Sequence, residues 1–225
     1  MSAKLIVALD VDSFAKAKKL VDKLCPKVKV FKVGSQLFTC AGPKIVEYIR
    51  KKKSEVFLDL KFYDIPNTVA SAVRCAIALK VKMMTLHVTG GEEMLRYAVS
   101  AAEEGSARLK VKRPLLIGVT VLTSQAASAE TVVVLARKAK FCGLDGVVCS
   151  VREARDVRQA CGEGFIIVTP GIRPDNAPAD DQKRTATAAE AIAAGSDFLV
   201  VGRPIVAAPN PLKAAKELLA KGKET

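Results

Sequence analysis

The stretch Phe57-Leu58-Asp59-Leu60-Lys61-Phe62-Tyr63-Asp64-Ile65-Pro66-Asn67-Thr68 opens like a buried strand and closes like the start of a helix. From Val56 the run is apolar except at Asp59 and Lys61, which stand two positions apart. Residues i and i+2 of a strand face the same way, so a carboxylate and an ammonium group are expected side by side on one face of a sheet. Taking an ionised group out of water is costly unless it is paired and hydrogen-bonded, so a strand carrying two holds either a structural ion pair or a chemical site. Asp64 adds a third charge just past the strand, ahead of Pro66, whose fixed φ suits the first position of a helix. Charges at the mouth of a strand that leads into a helix mark the chemical end of α/β enzymes.

The same strand-then-helix unit recurs on both sides. Residues 5–9 form a continuous apolar run that meets Asp10, the pattern of a buried parallel strand with a carboxylate at its C-terminal end. Ser13 then caps a helix in which Phe14, Ala17, Val21 and Leu24 recur at helical spacing. Residues 28–33 are a second strand closing on Lys32 and Gly34, and Pro43 after Gly42 opens its helix, with Ile45, Val46 and Ile49 buried. Val69, Val73 and Ile77 give the helix after the central stretch its apolar face. Further strands are expected at 83–88, 115–122, 146–150, 165–168 and 198–201. Their helices run through Leu95 and Ala98, Val132 and Leu135, Ala154 and Val157, residues 188–194, and Leu212 and Ala215. Eight strands, each followed by a helix, in 225 residues is the count of a (β/α)8 TIM barrel, a single domain over residues 1–225. An open doubly wound sheet is the alternative, but Val11-Asp12-Ser13 follow Asp10 where that fold places a Gly-rich phosphate loop.

Half of the residues are apolar, enough for a full core. No uncharged run is long enough to cross a bilayer, and residues 5–9 are too short for the core of a signal peptide, so a cytoplasmic protein without membrane contact is expected. Cys25, Cys40, Cys75, Cys142, Cys149 and Cys161 form no Cys-x-x-Cys pair and are read as reduced core residues. The net charge of +13 invites a basic nucleic-acid-binding protein as a rival reading. Against it, Trp is absent, aromatics are few, and the lysines fall on polar helix faces or in closing turns, as at Lys51, Lys52 and Lys53 or Lys110, Lys112 and Arg113. No nucleic-acid partner is expected, although the excess charge should draw small anions towards the protein.

A barrel keeps its chemistry at the C-terminal ends of its strands, which collects Asp10, Lys32, Asp59, Lys61, Asp64, Thr123, Arg173, Gln182 and Arg203. The first three strands are neighbours, so Asp10, Lys32, Asp59 and Lys61, with Asp64 just beyond, form a network of alternating charge that fixes the lysine rotamers. One Asp–Lys pair would be a rim salt bridge; five charges at three adjacent strand ends point to function. At strands seven and eight, Gly202 lets an anion approach the backbone and Arg203 offers a guanidinium fork, which suits a phosphate. Arg173 and Gln182 flank a loop long enough to fold over a ligand. Thr123 either offers a hydroxyl between the two clusters or simply closes its strand. His87, the only histidine, cannot alone build a metal site or a Ser-His-Asp triad and reads as a hydrogen-bonded structural residue. With Lys32 and Lys61 beside the carboxylates, no metal and no cofactor are expected, and the substrate is a small phosphorylated anion.

These residues lie in motifs that resemble the orotidine 5'-phosphate decarboxylase family over nearly the whole chain. The motifs are Ala8-Leu9-Asp10, Phe31-Lys32-Val33-Gly34, Asp59-x-Lys61-x-x-Asp64-Ile65-Pro66-Asn67-Thr68, His87-x-x-Gly90-Gly91 and Val119-Thr120-x-Leu122-Thr123-Ser124. Thr169-Pro170-Gly171-Ile172-Arg173-Pro174, Asp180-Asp181-Gln182-Lys183-Arg184 and Val201-Gly202-Arg203-Pro204-Ile205 complete them. The Asp-x-Lys-x-x-Asp element is shared with 3-hexulose-6-phosphate synthases and keto-gulonate-phosphate decarboxylases, which are the enzymatic alternative. Ile-Pro-Asn-Thr, Leu-Thr-Ser and the Asp-Asp-Gln loop point to the orotidine branch. The resemblance implies a homodimeric, cofactor-independent lyase of UMP biosynthesis that converts orotidine 5'-monophosphate to uridine 5'-monophosphate and CO2. It implies that Lys61, Asp59, Asp64 and Lys32 are catalytic, with Lys61 protonating C6. It further implies that Asp10 and Lys32 contact the ribose, Thr123 the pyrimidine, and Arg173, Gln182, Gly202 and Arg203 the phosphate or the loop over it. Asp64, Ile65 and Thr68 would cross the dimer interface.

Overall fold

The computed structural model describes residues 3–25, 27–122, 124–174 and 185–221; Thr123 and Gln182 lie outside them. The first half of the chain runs β1 (Lys4–Ala8), α1 (Phe14–Leu24), β2 (Val30–Gly34), α2 (Ser35–Ala41), α3 (Pro43–Lys51), β3 (Glu55–Phe62), α4 (Pro66–Ala78), β4 (Met83–His87) and α5 (Glu92–Leu109). The second half runs β5 (Leu115–Val119), α6 (Ala129–Phe141), β6 (Gly146–Val148), α7 (Val151–Cys161), β7 (Ile166–Thr169), α8 (Ala188–Ala193), β8 (Phe198–Val201), α9 (Arg203–Val206) and α10 (Pro211–Lys221). The strands pair in parallel in sequence order, and β8 closes on β1 with Val7 opposite Val201. The closed barrel is the expected one, and the open sheet is excluded.

Strand periodicity sorts the side chains into two layers. Ile6, Ala8, Val30, Phe57, Met83 and Val200 belong to the small cluster that fills the barrel. Their strand neighbours Val7, Phe31, Val33, Val56 and Leu58 pack outward into the larger core beneath the helices. Because Val30 and Phe57 point inward, the two-residue period also turns Lys32 and Asp59 inward, one pleat nearer the C-terminal mouth. The fold therefore delivers both charges to the barrel axis. The helices start where the sequence places them: the Ser13 hydroxyl accepts the Lys16 N–H, and Pro66 is the first residue of α4.

Several boundaries differ from the sequence reading. β4, β5 and β6 end at His87, Val119 and Val148, short of the expected 88, 122 and 150. After β4 the chain turns into 3-10 helix at Val88–Gly90, and after β6 Ser150 becomes the N-cap of α7, its N–H donating to Glu153 at 3.1 Å. Two short helices, α2 and α9, are additional; each is too brief to show an apolar period. α2 follows Gly34 directly, so Pro43 opens the second helix of that crossover rather than the first. Cys142, Cys149 and Cys161 are buried as expected, but Cys40 and Cys75 are exposed on α2 and α4, which corrects the reading of all six as core. No described helix is long and apolar enough to cross a membrane.

Candidate active site

Four of the five expected charges meet at the C-terminal ends of β1, β2 and β3. Lys32 Nζ donates to Asp10 Oδ1 at 2.9 Å and lies 3.5 Å from Asp59 Oδ2. Lys61 Nζ donates to both Asp59 oxygens at 3.0 Å. Asp59 is the hub and is only 8% exposed. Burial alone would raise its pKa, but the Lys32 and Lys61 ammonium charges, with hydrogen bonds from Lys61 and Thr85, outweigh that and hold it below the usual carboxylate value. Gly34 makes room for this network: a Cβ there would come within 3.0 Å of Lys32 Nζ and 3.4 Å of Asp10 Oδ1.

Lys61 reaches Asp59 by a different route from the regular strand the sequence suggests. Its φ is 52°, in the left-handed region that a lysine adopts only at a cost of order 1–3 kcal/mol. The pairing of β3 with β4 shifts register between Leu58 and Phe62, so Lys61 sits in a bulge. Thr85 on β4 holds that bulge in place: its hydroxyl accepts the Lys61 N–H at 2.9 Å and donates to Asp59 Oδ1 at 2.9 Å. Thr85 is fully buried and was missed by the sequence reading. Its signal was present, because Met83 faces the barrel interior and Thr85 follows it by two. His87, two further on, is half-buried; burial first, then the nearby Lys61 charge, lowers its pKa, so the neutral ring is favoured. Its expected side-chain hydrogen bond is not formed among the described residues; instead the ring packs against Tyr63 at 5.6 Å.

The network floors one side of a cavity of about 450 Å³ at the barrel mouth. Val119, Val121, Val148, Val168 and Val200 give the cavity an apolar wall, and Arg173, Gly202 and Arg203 stand on its rim. The backbone N–H of Arg173 donates to the Ala186 carbonyl at 2.9 Å. Arg203 is the first residue of α9, with Gly202 as its N-cap. A flat, partly apolar molecule with an anionic tail fits this division of the cavity.

Asp64, Ile65 and Thr68 are not brought into that cavity within one chain. Asp64 is exposed and its Oδ1 accepts the N–H of Ile65 at 2.7 Å, while Thr68 lies exposed in the first turn of α4. Ile65 and the adjacent Tyr63 are 67% and 62% exposed, an unusual state for large apolar side chains. Thr123 and Gln182 fall outside the described residues. Among the described residues no group of three or more His, Cys, Asp or Glu side chains is placed to hold a metal ion.

Comparison with known proteins shows the family. The model of the Orotidine 5'-phosphate decarboxylase / HUMPS family matches residues 3–218. The orotidine 5'-phosphate decarboxylase of Syntrophotalea carbinolica is 52% identical over 227 residues, covering 96% of this chain and 93% of that protein. That of Moorella thermoacetica is 47% identical over 229 residues, covering 96% and 91%. The crystal structure of orotidine 5'-phosphate decarboxylase from Lactobacillus acidophilus aligns with a TM-score of 0.85 at 34% identity, over 98% of this chain and 99% of that one. Eight strands closed into a barrel, the Asp59-x-Lys61-x-x-Asp64 element at its mouth, and matches that run almost end to end place this chain in the Orotidine 5'-phosphate decarboxylase / HUMPS family.

Proposed function

We propose that this protein removes CO2 from C6 of orotidine 5'-monophosphate to give uridine 5'-monophosphate, as a cytoplasmic enzyme of pyrimidine nucleotide synthesis. The observation that carries this reading is the Lys61 ammonium, held on Asp59 at 3.0 Å beside a cavity with an apolar wall and an arginine-bearing rim. Breaking the bond from C6 to the carboxylate leaves its electron pair on C6, in the ring plane, where the π system cannot take it up. A positive charge fixed beside C6 stabilises that pair as it develops, and it needs no reorganisation because Asp59 already orients it. Lys61 then transfers an Nζ proton to C6, forming the C6–H bond, CO2 departs, and the neutral amine regains a proton from water. Asp59 lies beside the departing carboxylate, while Lys32 and Asp10 bind the ribose hydroxyls.

Arg203 and Gly202, with Arg173, take the phosphate in this reading; Gln182 and Thr123 keep the phosphate and pyrimidine roles that their motifs imply. The phosphate is remote from the bond that breaks, yet its binding energy can hold the pyrimidine against Lys61 and so lower the barrier there. The enzyme works as a homodimer. Asp64, Ile65 and Thr68 are exposed together at the head of α4, where a second copy can receive them, with Asp64 completing the charge network of the neighbouring site. No metal or cofactor takes part, since Lys32 and Lys61 already supply the cations beside the carboxylates.

The ultraviolet spectrum of orotidine 5'-monophosphate tests this directly. Purified protein in excess EDTA is expected to convert it to the uridine 5'-monophosphate spectrum. An unchanged spectrum, with turnover of hexulose or keto-gulonate phosphates on adding Mg²⁺, would move the chain to the other branch of its family.

A further inference from the structure

A second cavity, of about 810 Å³, opens at the opposite, N-terminal end of the barrel. It is bordered by strand starts, among them Lys4, Glu55 and Phe198, and by the turns that lead from α3, α4 and α5 back into the sheet. Its charges do not balance. The two lining carboxylates are already matched, Glu55 by Lys82 and Asp197 by Arg158 at 2.7 Å. The lining Arg113 is matched by Asp145 at 2.8 Å. What remains is Lys4, Arg50, Lys53, Lys80 and Lys112, all exposed and none in an ion pair among the described residues.

Two further donors of the lining are left over. Ser54 is 5% exposed, and its hydroxyl is buried without a hydrogen-bond partner, as is Nε of Arg113. Buried donors of this kind are normally satisfied, and both belong to residues that border this cavity. The backbone fixes where two of these lysines start. Lys53 and Lys80 occupy the left-handed positions that close α3 and α4, with φ of 57° and 53°. The left-handed turn favours Gly or Asn and the helix dipole favours a cation, and the turns carry both lysine side chains to the border of the cavity.

We propose that the N-terminal mouth of the barrel binds an oligophosphate, either free or as the tail of a nucleoside triphosphate. Several cations spread around one concavity match several linked negative charges better than a single phosphate. The apolar filling of the barrel, from Ile6 and Val30 to Phe198 and Val200, separates this mouth from the catalytic one. The ligand therefore does not compete with the substrate for Lys61 or Arg203. A single-stranded nucleic acid would call for exposed aromatic rings to stack on, whereas Phe198, the one aromatic residue in the described lining, is 5% exposed.

The test is calorimetric titration of the full chain with inorganic triphosphate and, separately, with a nucleoside triphosphate. The variant carries Lys53→Asn, Lys80→Asn and Lys112→Gln; Asn tolerates the left-handed turns, and thermal unfolding without ligand checks that the fold is kept. Wild type and Arg203→Ala are expected to bind triphosphate equally, and the triple variant to lose about tenfold or more in affinity with its decarboxylation rate unchanged. Triphosphate should also raise the Tm of wild type but not that of the triple variant. Tighter binding of the nucleoside triphosphate would identify a nucleotide as the source, and equal binding a free oligophosphate. Absence of saturable binding to wild type, undiminished binding to the triple variant, loss in Arg203→Ala, or displacement by an RNA oligomer that binds more tightly would each overturn the proposal.

Discussion

Asp59 serves two ammonium groups at once, Lys61 at 3.0 Å and Lys32 at 3.5 Å, and takes the Thr85 hydroxyl at 2.9 Å. Its folded pKa is depressed, so the ionised form contributes stability that is fully present above the unfolded value of about 3.9 and is lost as pH falls through the lower folded value. Urea unfolding of wild type and Asp59→Asn should therefore converge as the pH drops below about 4; parallel pH profiles would contradict the assignment. Thr85 touches no substrate in this scheme and acts by positioning Lys61 and Asp59. Thr85→Val keeps the shape but removes the hydroxyl, and kcat is expected to fall by roughly ten- to a hundredfold with KM nearly unchanged, while Thr85→Ser restores it. A loss confined to stability would reduce Thr85 to a packing residue. Lys61→Ala removes both the fixed charge and the proton donor, and turnover should drop by about 10⁴-fold or more while uridine 5'-monophosphate still binds.

At the scale of elements, β3 shows how far the sequence could be read. Its apolar frame, its two charges and the helix start at Pro66 were all legible, because burial, charge cost and proline geometry are local properties. The bulge was not: a left-handed Lys61 depends on the Thr85 hydroxyl from the neighbouring strand, a contact between residues far apart in the chain. The same limit explains the strand ends. β5 and β6 end at Val119 and Val148, although Val121 and Leu122 follow the first and Cys149 the second, and the Thr120 hydroxyl donates to the Val148 carbonyl at 2.9 Å. Strand period and position placed Lys32 and Asp10 at one barrel mouth, and there they meet at 2.9 Å, a contact that follows from the pairing of β1 with β2, where Ala8 lies opposite Lys32. Asp64 was grouped with them because it is close in sequence, yet the turn into α4 carries it to the surface.

The whole molecule presents two charged mouths separated by an apolar plug. The C-terminal mouth balances its lysines with aspartates and the N-terminal mouth does not, so part of the +13 net charge is concentrated at one end of the barrel. At the catalytic mouth, Asp64, Ile65 and Thr68 are exposed together, which is where the proposed dimer would bring in its second copy. Mixing Lys61→Ala with Asp64→Ala subunits probes both halves of that idea in one assay of orotidine 5'-monophosphate decarboxylation. Each variant alone should be nearly inactive, and random re-pairing should restore about a quarter of wild-type activity, because each mixed dimer regains one intact site. Mixtures no more active than the separate variants, or a Lys61→Ala protein that turns over like wild type, would contradict a shared site built around Lys61.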